Sequence, residues 1–471
     1  MRSTATLIIL VMTSALVACM PSTKNSRLTS IPIPDYLKDS SNHHALNQLP
    51  YQAWWQDFKS PLLNQLVDKA LLYNNNVVIA KRSIHVAHTE LQTIRLNWLP
   101  GLNILMGFSQ DPALGNPGVF YGVLPSYYQN FVALYFQQKK AEFVLQRAKA
   151  YYLGVRLTVI GEVISSYFSL LAWNHQLTLL KQIEQDYKEL LASLEIAKKQ
   201  GLANNLQLLT LTSQLQSILG QQKQVQNNII ASENALRYLI NQPPGKIKSS
   251  QLFINLPSKA VPLNKINTQV MLRRPDVMVA LTSLLAACSG INVAESQLLP
   301  ALTLDYFWGK ASLNGTFKSP THSAPYGDMY ATFNLSPSIF GQIITSKATF
   351  NRSLAEYNKI IQNALRLIAN SIAANQKLMA KYHEDSLSLI SLRKRYQLQQ
   401  DLYRKGLISH NDLLYSRIEI NQQDYRLTIS KLEQLFSVIS LYEELAAGIF
   451  YHERGLTDYD PKVPLTRFLK L

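Results

Sequence analysis

Asn76-Val77-Val78-Ile79-Ala80 has a counterpart 200 residues further on, Asp276-Val277-Met278-Val279-Ala280. At the same offset Ser83 meets Ser283, Ala87 meets Ala287, and Leu99-Pro100-x-Leu102 meets Leu299-Pro300-x-Leu302. Each copy opens with a residue whose side chain can accept from the free amides of a helix start, Asn76 or Asp276. Each closes its helix at a proline, Pro100 or Pro300, which cannot extend the hydrogen-bond ladder. A second matched pair follows: Gly201-Leu202 before Leu208-Leu209, and Gly406-Leu407 before Leu413-Leu414. The spacing points to two internal structural repeats that fill most of the chain.

Working outward, each proline leads into a strand-like stretch, Leu102 to Ser109 and Leu302 to Trp308. Loops rich in proline and glycine follow (Asp111 to Pro125, Asn314 to Asp328), and then a second apolar stretch, Phe131 to Phe136 or Tyr330 to Leu335. Two β-hairpins are expected, at about 101–137 and 301–337, with strands of about ten residues, the length of a tilted membrane strand. Tyr127, Tyr128, Tyr135, Phe136, Tyr306, Phe307, Trp308 and Tyr330 suit either the aromatic girdles of a membrane barrel or the packed face of a soluble hairpin. A bacterial barrel needs at least about eight strands, so two hairpins close one only with strands from further copies of the chain.

The remainder reads as very long helix. Lys139 to Gln200 and Phe340 to Lys405 contain no proline, and each reaches about 90 Å at ~1.5 Å per residue. Apolar residues alternate at three and four: Leu180, Ile183, Tyr187, Leu190, Leu194 and Ala197, answered by Leu208, Leu211, Leu215 and Ile218. Leu414, Ile418, Tyr425, Leu432, Leu435 and Ile439 repeat the pattern near the C-terminus. This is the seam of antiparallel coiled-coil pairs. Gln222, Asn421 and Thr428 interrupt the seams, either fixing register or facing water where a seam opens. Gly201 and Gly406 mark the reversals, because glycine supplies the positive φ of a helix stop. Asn204, Asn205, Ser409, His410 and Asn411 stand ready to cap the returning helices. The hairpins and these tips fall at opposite ends of the molecule.

The N-terminus carries Arg2 and an apolar run from Leu7 to Ala18, a signal peptide by pattern. Beyond Cys19 no apolar run approaches the ~20 residues of a membrane helix, so a crossing would need a closed β-barrel. The net charge of +16 is spread along the chain with no nucleic-acid module in it. Two cysteines, Cys19 and Cys288, make no disulfide framework, and Cys288 reads as a small buried apolar residue. No nucleophile elbow, phosphate loop, dinucleotide fingerprint or zinc-binding histidine helix is found. His85 and His88 lack a third ligand, and His383-Glu384-Asp385 reads as a solvated helix face. The expectation is a protein that is not an enzyme and holds no cofactor or metal.

These features together resemble the TolC-type outer-membrane factors, in particular the lipoprotein branch that serves tripartite efflux pumps. The resemblance rests on Leu16-Val17-Ala18-Cys19, similar to a lipobox, and on Trp54-Trp55-Gln56-Asp57-Phe58-Lys59-Ser60-Pro61-Leu62. It rests also on Arg273-Arg274-Pro275-Asp276-Val277, Ile339-Phe340-Gly341-Gln342 and Arg404-Lys405-Gly406-Leu407-Ile408-Ser409. It implies an α+β membrane protein: a homotrimer whose strands complete one small transmembrane β-barrel above a long α-helical coiled-coil barrel. It implies lipid attachment at Cys19, placement in the outer membrane, and two partners, a periplasmic adaptor and an inner-membrane pump. The periplasmic tips and aperture would involve Gly201, Asn204, Asn205, Gly406, Ser409, Asp412 and Tyr415. Two departures stand out. Tyr415 replaces a second aspartate, and Gln207 stands opposite Asp412 in the first repeat. Tyr135-Phe136-Gln137-Gln138-Lys139-Lys140 replaces the family's aspartate-aromatic-glycine-arginine turn.

The expected organisation is a signal peptide over 1–18, an anchored N-terminal segment over 19–62, repeats over 63–262 and 263–450, and a tail over 451–471. Function is read as a passive outer-membrane conduit for drugs or other small molecules. The alternatives are a type I protein-secretion channel and a coiled-coil lipoprotein with no pore.

Overall fold

The computed structural model describes residues 51–109, 118–249, 251–257, 273–311, 326–334 and 336–451; the signal segment, Cys19 and the tail beyond 451 lie outside them. A 3-10 turn over Trp54–Phe58 precedes α1 (Pro61–Tyr73), α2 (Asn75–Leu96), β1 (Gly101–Ser109) and β2 (Gly118–Gln129). Then come α3 (Phe131–Lys199), α4 (Asn205–Leu239) and a second 3-10 turn over Phe253–Asn255. α5 (Pro275–Ser296), β3 (Ala301–Ala311), β4 (Tyr326–Thr332), α6 (Pro337–Arg404) and α7 (His410–Glu444) complete the order.

α3 and α6 run for 69 and 68 residues, so each spans about 100 Å. No single amphipathic stripe can stay on one side over such a length. Partners change along the helix instead. Near its start α3 packs on α2 and α5, further along on α1 and the end of α7, and towards its tip on α4 and the start of α7. The seam residues Leu180, Ile183, Tyr187 and Leu190 meet Leu211, Ile218, Leu414 and Ile418 in one buried cluster. Gln222 lies inside that seam, donating from Nε2 to the Leu180 carbonyl at 3.2 Å and to Glu184 Oε2 at 2.7 Å. Asn421 and Thr428 are buried too, so these polar residues do not face open water.

Several local expectations are corrected. Phe131 to Phe136 is the first part of α3 rather than a strand, because Asn130 caps it, accepting from Ala133 N at 2.9 Å. The returning strand lies earlier, at Gly118–Gln129, across Pro125. The pairing of β2 with β3 skips Leu124 and Pro125, as a residue with no N–H requires. β4 likewise begins at Tyr326, inside the stretch expected to be loop, and ends at Thr332. Asn76 is not the cap of α2. That role falls to Asn74, whose Oδ1 accepts from Asn76 N at 2.9 Å. Nor does Asp276 cap α5; it sits in the first turn and accepts from Val277 N. The absence of long apolar runs also fails as an expectation. α3 and α5 each hold an 18-residue stretch long and apolar enough to cross a membrane, yet 67% and 50% of those stretches are buried against other elements.

The four strands form one antiparallel sheet in the order β1-β2-β3-β4. α2, α3, α5 and α6 follow one another as a wall, each touching the next. On one side of that wall lies the main core, where α1, the ends of α4 and α7, and the segment around Phe253 pack on α3.

Candidate functional site

The two helix reversals are built alike. At the first, Gly201 (φ +77°) follows α3, Leu202 N donates to the Ala197 carbonyl, and Gly201 N donates to Lys198, both at 2.9 Å. At the second, Gly406 (φ +72°) follows α6, with Leu407 N on Leu402 and Gly406 N on Tyr403, again at 2.9 Å. Both use the left-handed C-terminal stop that glycine favours. The returning helices start with reciprocal capping boxes. Asn204 and Gln207 exchange bonds of 3.1 and 2.9 Å. Ser409 N donates to Asp412 Oδ2 at 2.9 Å, while Asp412 N donates back to Ser409 Oγ at 3.2 Å. Gln207 and Asp412 thus do the same local work, although one is neutral and the other charged. The Ser409 hydroxyl and amide hold the Asp412 carboxyl below the usual range. Asn205 opens α4, and Tyr415 is half exposed on α7.

Around the turns stand leucines that the sequence reading did not single out as a surface: Leu202, Leu206, Leu209 and Leu407, each about two-thirds exposed or more. Their signal in the sequence was present, since they fall off the coiled-coil seam.

Just above the tips, charged residues join α3 to α7. Arg417 Nε donates to Asp186 Oδ1 at 2.8 Å, and His410 Nε2 lies 2.8 Å from Glu189 Oε1. Burial pushes the Asp186 carboxyl up despite Arg417 beside it. Further along, Asp424 on α7 receives Arg393 of α6 at 3.0 Å and faces His175 of α3 at 3.4 Å. These links fasten one coiled-coil pair to the other. Sequence spacing could not reveal them, because each joins residues distant in the chain.

At the opposite end, the sheet has two unlike faces. Leu102, Ile104 and Met106 project to one side and are 66%, 70% and 78% exposed; by register Val123, Leu304 and Met329 share that side. Asn103, Ser126, Thr303 and Asp305 share the other with Leu124, Tyr128 and Tyr330, and there Asn103 Nδ2 donates to Ser126 Oγ at 2.8 Å. Tyr127, one of the girdle candidates, is buried against Phe131 instead, and Tyr135 and Phe136 belong to α3. The side chains of Tyr306, Phe307 and Trp308 lie outside the described residues. Among the described residues no strand pairs with the outer edge of β1 or β4, and no group of histidine, cysteine and carboxylate could hold a metal. His383 is exposed and Cys288 half-buried.

The model of the outer membrane efflux protein family matches residues 66–242 and 268–447. The chain belongs to that family. Among its relatives, the solvent efflux pump outer membrane protein SrpC of Pseudomonas putida is 26% identical, over 83% of this chain and 86% of its own length. The probable outer membrane lipoprotein SilC of Salmonella typhimurium is 22% identical, over 92% and 96%. The same fold occurs in the crystal structure of the open state of the MtrE outer membrane channel of Neisseria gonorrhoeae. That likeness has a TM-score of 0.77 at 19% identity, covering 91% of this chain and 98% of MtrE.

One half-buried carboxyl gives this outer membrane efflux protein a pH dependence. Glu443 of α7 lies over α3 at Gly161, where a Cβ would come within 1.6 Å of Glu443 Oε1, so any larger residue there forces the Glu443 side chain to shift. Burial, with Glu444 and Glu162 nearby, raises the Glu443 carboxyl to about 7. Between pH 4.5 and 7 the folded protein therefore keeps a proton that the unfolded chain has released. Stability falls as pH rises through that window, by about 3 kcal/mol for this group alone. Glu443→Gln is expected to flatten this slope in thermal unfolding followed by circular dichroism at pH 4.5 to 7.5. An unchanged slope would reassign the dependence to other groups.

Proposed function

We propose that this chain is one subunit of a trimeric outer-membrane channel in a tripartite efflux pump, a passive conduit for small molecules from the periplasm to the exterior. The observation that carries the reading is the sheet. It has an apolar face, a face that mixes polar side chains with tyrosines and, among the described residues, two open edges, and no four-stranded sheet closes a membrane barrel by itself. Three copies supply twelve strands, with Leu102, Ile104, Met106 and Met329 towards lipid and Asn103, Ser126, Thr303 and Asp305 towards water. A coiled-coil lipoprotein without a pore would leave that apolar face unexplained.

In this reading the chain is a duplication, with repeats over 63–262 and 263–450. Its support is the recurrence of two helix ends, a hairpin, a long helix and a return helix in each half. Cys19 carries the lipid anchor, which SilC's description as a lipoprotein favours. The tips dock the periplasmic adaptor through the exposed leucines around Gly201 and Gly406, with the pump beneath. Asn204, Asn205, Ser409, Asp412 and Tyr415 border the aperture.

The decisive experiment is single-channel recording of the purified lipidated protein, with its mass in detergent measured alongside. Discrete conductance steps from a species of three chains support the channel; a monomer that never inserts overturns it. The role of Asp412 is separable from its cap. Asp412→Ala removes both cap and charge and is expected to cost about 1 kcal/mol of local helix stability, whereas Asp412→Asn keeps a capping side chain. If the aspartate contributes to cation preference, both variants shift the reversal potential in a salt gradient by the same amount. Unchanged selectivity in both leaves Asp412 a capping residue.

A further inference from the structure

Among the described residues, the wall of α2, α3, α5 and α6 is covered on one side only. On α3 the residues Leu153, Ile160, Ile164 and Phe168 enter the core with α1, α4 and α7. About half a helical turn away, Tyr151, Thr158 and Glu162 form a second stripe on the same helix, and all three are exposed. That bare side carries a cleft of about 900 Å³ to which all four wall helices contribute. A groove that all four helices reach, including the two outermost, requires the wall to curve around it, so the cleft lies on the concave side. If copies of the wall close into a tunnel, the concave side is its lumen, and α1, α4 and α7 lie outside.

The charges bordering the cleft are unevenly paired. Its floor is apolar, with Ile79 of α2, Val155 of α3, Val279 of α5 and Ile360 of α6. Three carboxylates border it, those of Glu162, Asp276 and Glu356, against one ammonium, Lys359. Arg274 holds Asp276 at 2.8 Å and Arg352 lies 3.5 Å from Glu356. Glu162 forms no ion pair among the described residues. Burial lifts its carboxyl above the ordinary range, which is the mark of a charge beside apolar surface without a counter-ion. Lys359 is exposed at the end of a long side chain and is free to extend away from the floor.

We propose that this cleft is a lumenal binding site for organic cations with an apolar body, held by Glu162 over the floor of Ile79, Val155 and Val279. The inference rests on the channel reading for the placement of the lumen and goes beyond it in naming a site and a solute class. The site would retain such solutes in transit, near the middle of the molecule and far from the tips.

The test uses the full-length lipidated protein in lipid nanodiscs and the fluorescence anisotropy of ethidium, a planar apolar cation, with the uncharged dye N-phenyl-1-naphthylamine as comparison. Saturable ethidium binding is expected in the wild type. Glu162→Gln should weaken it about tenfold, the loss of one charge-assisted contact. Lys359→Gln should tighten it, and Thr158→Trp should abolish it by filling the cleft. Opposite effects of the two charge variants would not arise from general loosening of the fold. Tyr238→Ala, on the outer side of the assembly, should change nothing. Ethidium binding that is absent, or equal in wild type, Glu162→Gln and Thr158→Trp, overturns the site. The same wild-type sample is recorded in bilayers. Conductance steps without ethidium binding would sink the site and leave the channel intact, while a non-inserting monomer would sink the channel reading itself.

Discussion

Replacing Arg274 with alanine is expected to destabilise the protomer by about 3–5 kcal/mol, the usual cost of breaking a buried ion pair from one side. Only 8% of the Arg274 side chain is exposed. Its Nε and Nη2 grip both oxygens of Asp276 at 3.1 and 2.8 Å. Its Nη1 donates to the Glu444 backbone carbonyl at 3.0 Å and also to the Glu444 carboxylate. One guanidinium thus ties the start of α5 to the end of α7, elements 170 residues apart. Alanine would leave the Glu444 carboxylate, 16% exposed, without its partner. Lysine is expected to recover little, since a point charge cannot match two forks at once. The check is the thermal midpoint of the variant, with Arg274→Ala/Glu444→Gln closing a double-mutant cycle. If the double variant is no more stable than Arg274→Ala, the arginine acts through packing alone.

Trp54→Ala should cost a similar amount, about 3–5 kcal/mol, by the large-to-small rule for buried aromatics. Trp54 is 1% exposed. Its ring stacks on Tyr442 of α7 at 4.4 Å, with Trp55 and Phe58 edge-on at 6.0 and 6.3 Å. The segment ahead of α1 is thereby fixed to the last helix of the protein. Trp54→Phe should cost much less, because it keeps an aromatic ring and removes an indole Nε1 that is buried with no hydrogen-bond partner among the described residues. Limited proteolysis near residue 54, together with the near-ultraviolet circular dichroism of the tryptophans, would read both variants. Equal losses for phenylalanine and alanine would mean that the indole makes a contact beyond the described residues.

Both predictions concern stretches that were noticed in the sequence but not explained by it. Arg273-Arg274-Pro275-Asp276-Val277 and Trp54-Trp55-Gln56-Asp57-Phe58 stood out by resemblance. What they do became visible only when α7 was found against both. Charge pairs and ring stacks across more than 100 residues leave no local periodicity.

The outline of the molecule was legible because it depends on local rules. Uninterrupted three-four spacing without proline made α3 and α6 long helices, and only glycine readily takes the positive φ seen at Gly201 and Gly406. Capping chemistry narrowed the starts of α4 and α7 to Asn204 or Asn205 and to Ser409, His410 or Asn411, and the structure gives the caps to Asn204 and Ser409. The same local rules failed where neighbouring strands overrode them. Pro125 reads as loop, yet it lies within β2, where the pairing with β3 skips it. Phe131 to Phe136 reads as strand, yet Asn130 starts a helix there, its amide also anchored on the carbonyls of Ser296 and Leu299.

By itself, then, the sequence determined the long helices, their glycine reversals and the presence of strands after each Leu-Pro pair, since each follows from contacts within a few turns of chain. Only the tertiary structure decided which face of the wall is covered, which sheet face is apolar, that Asp412 serves a capping box, that Arg274 is buried and that Glu443 is half-buried. Those properties depend on which distant element arrives to exclude water, and no spacing along the chain encodes that arrival.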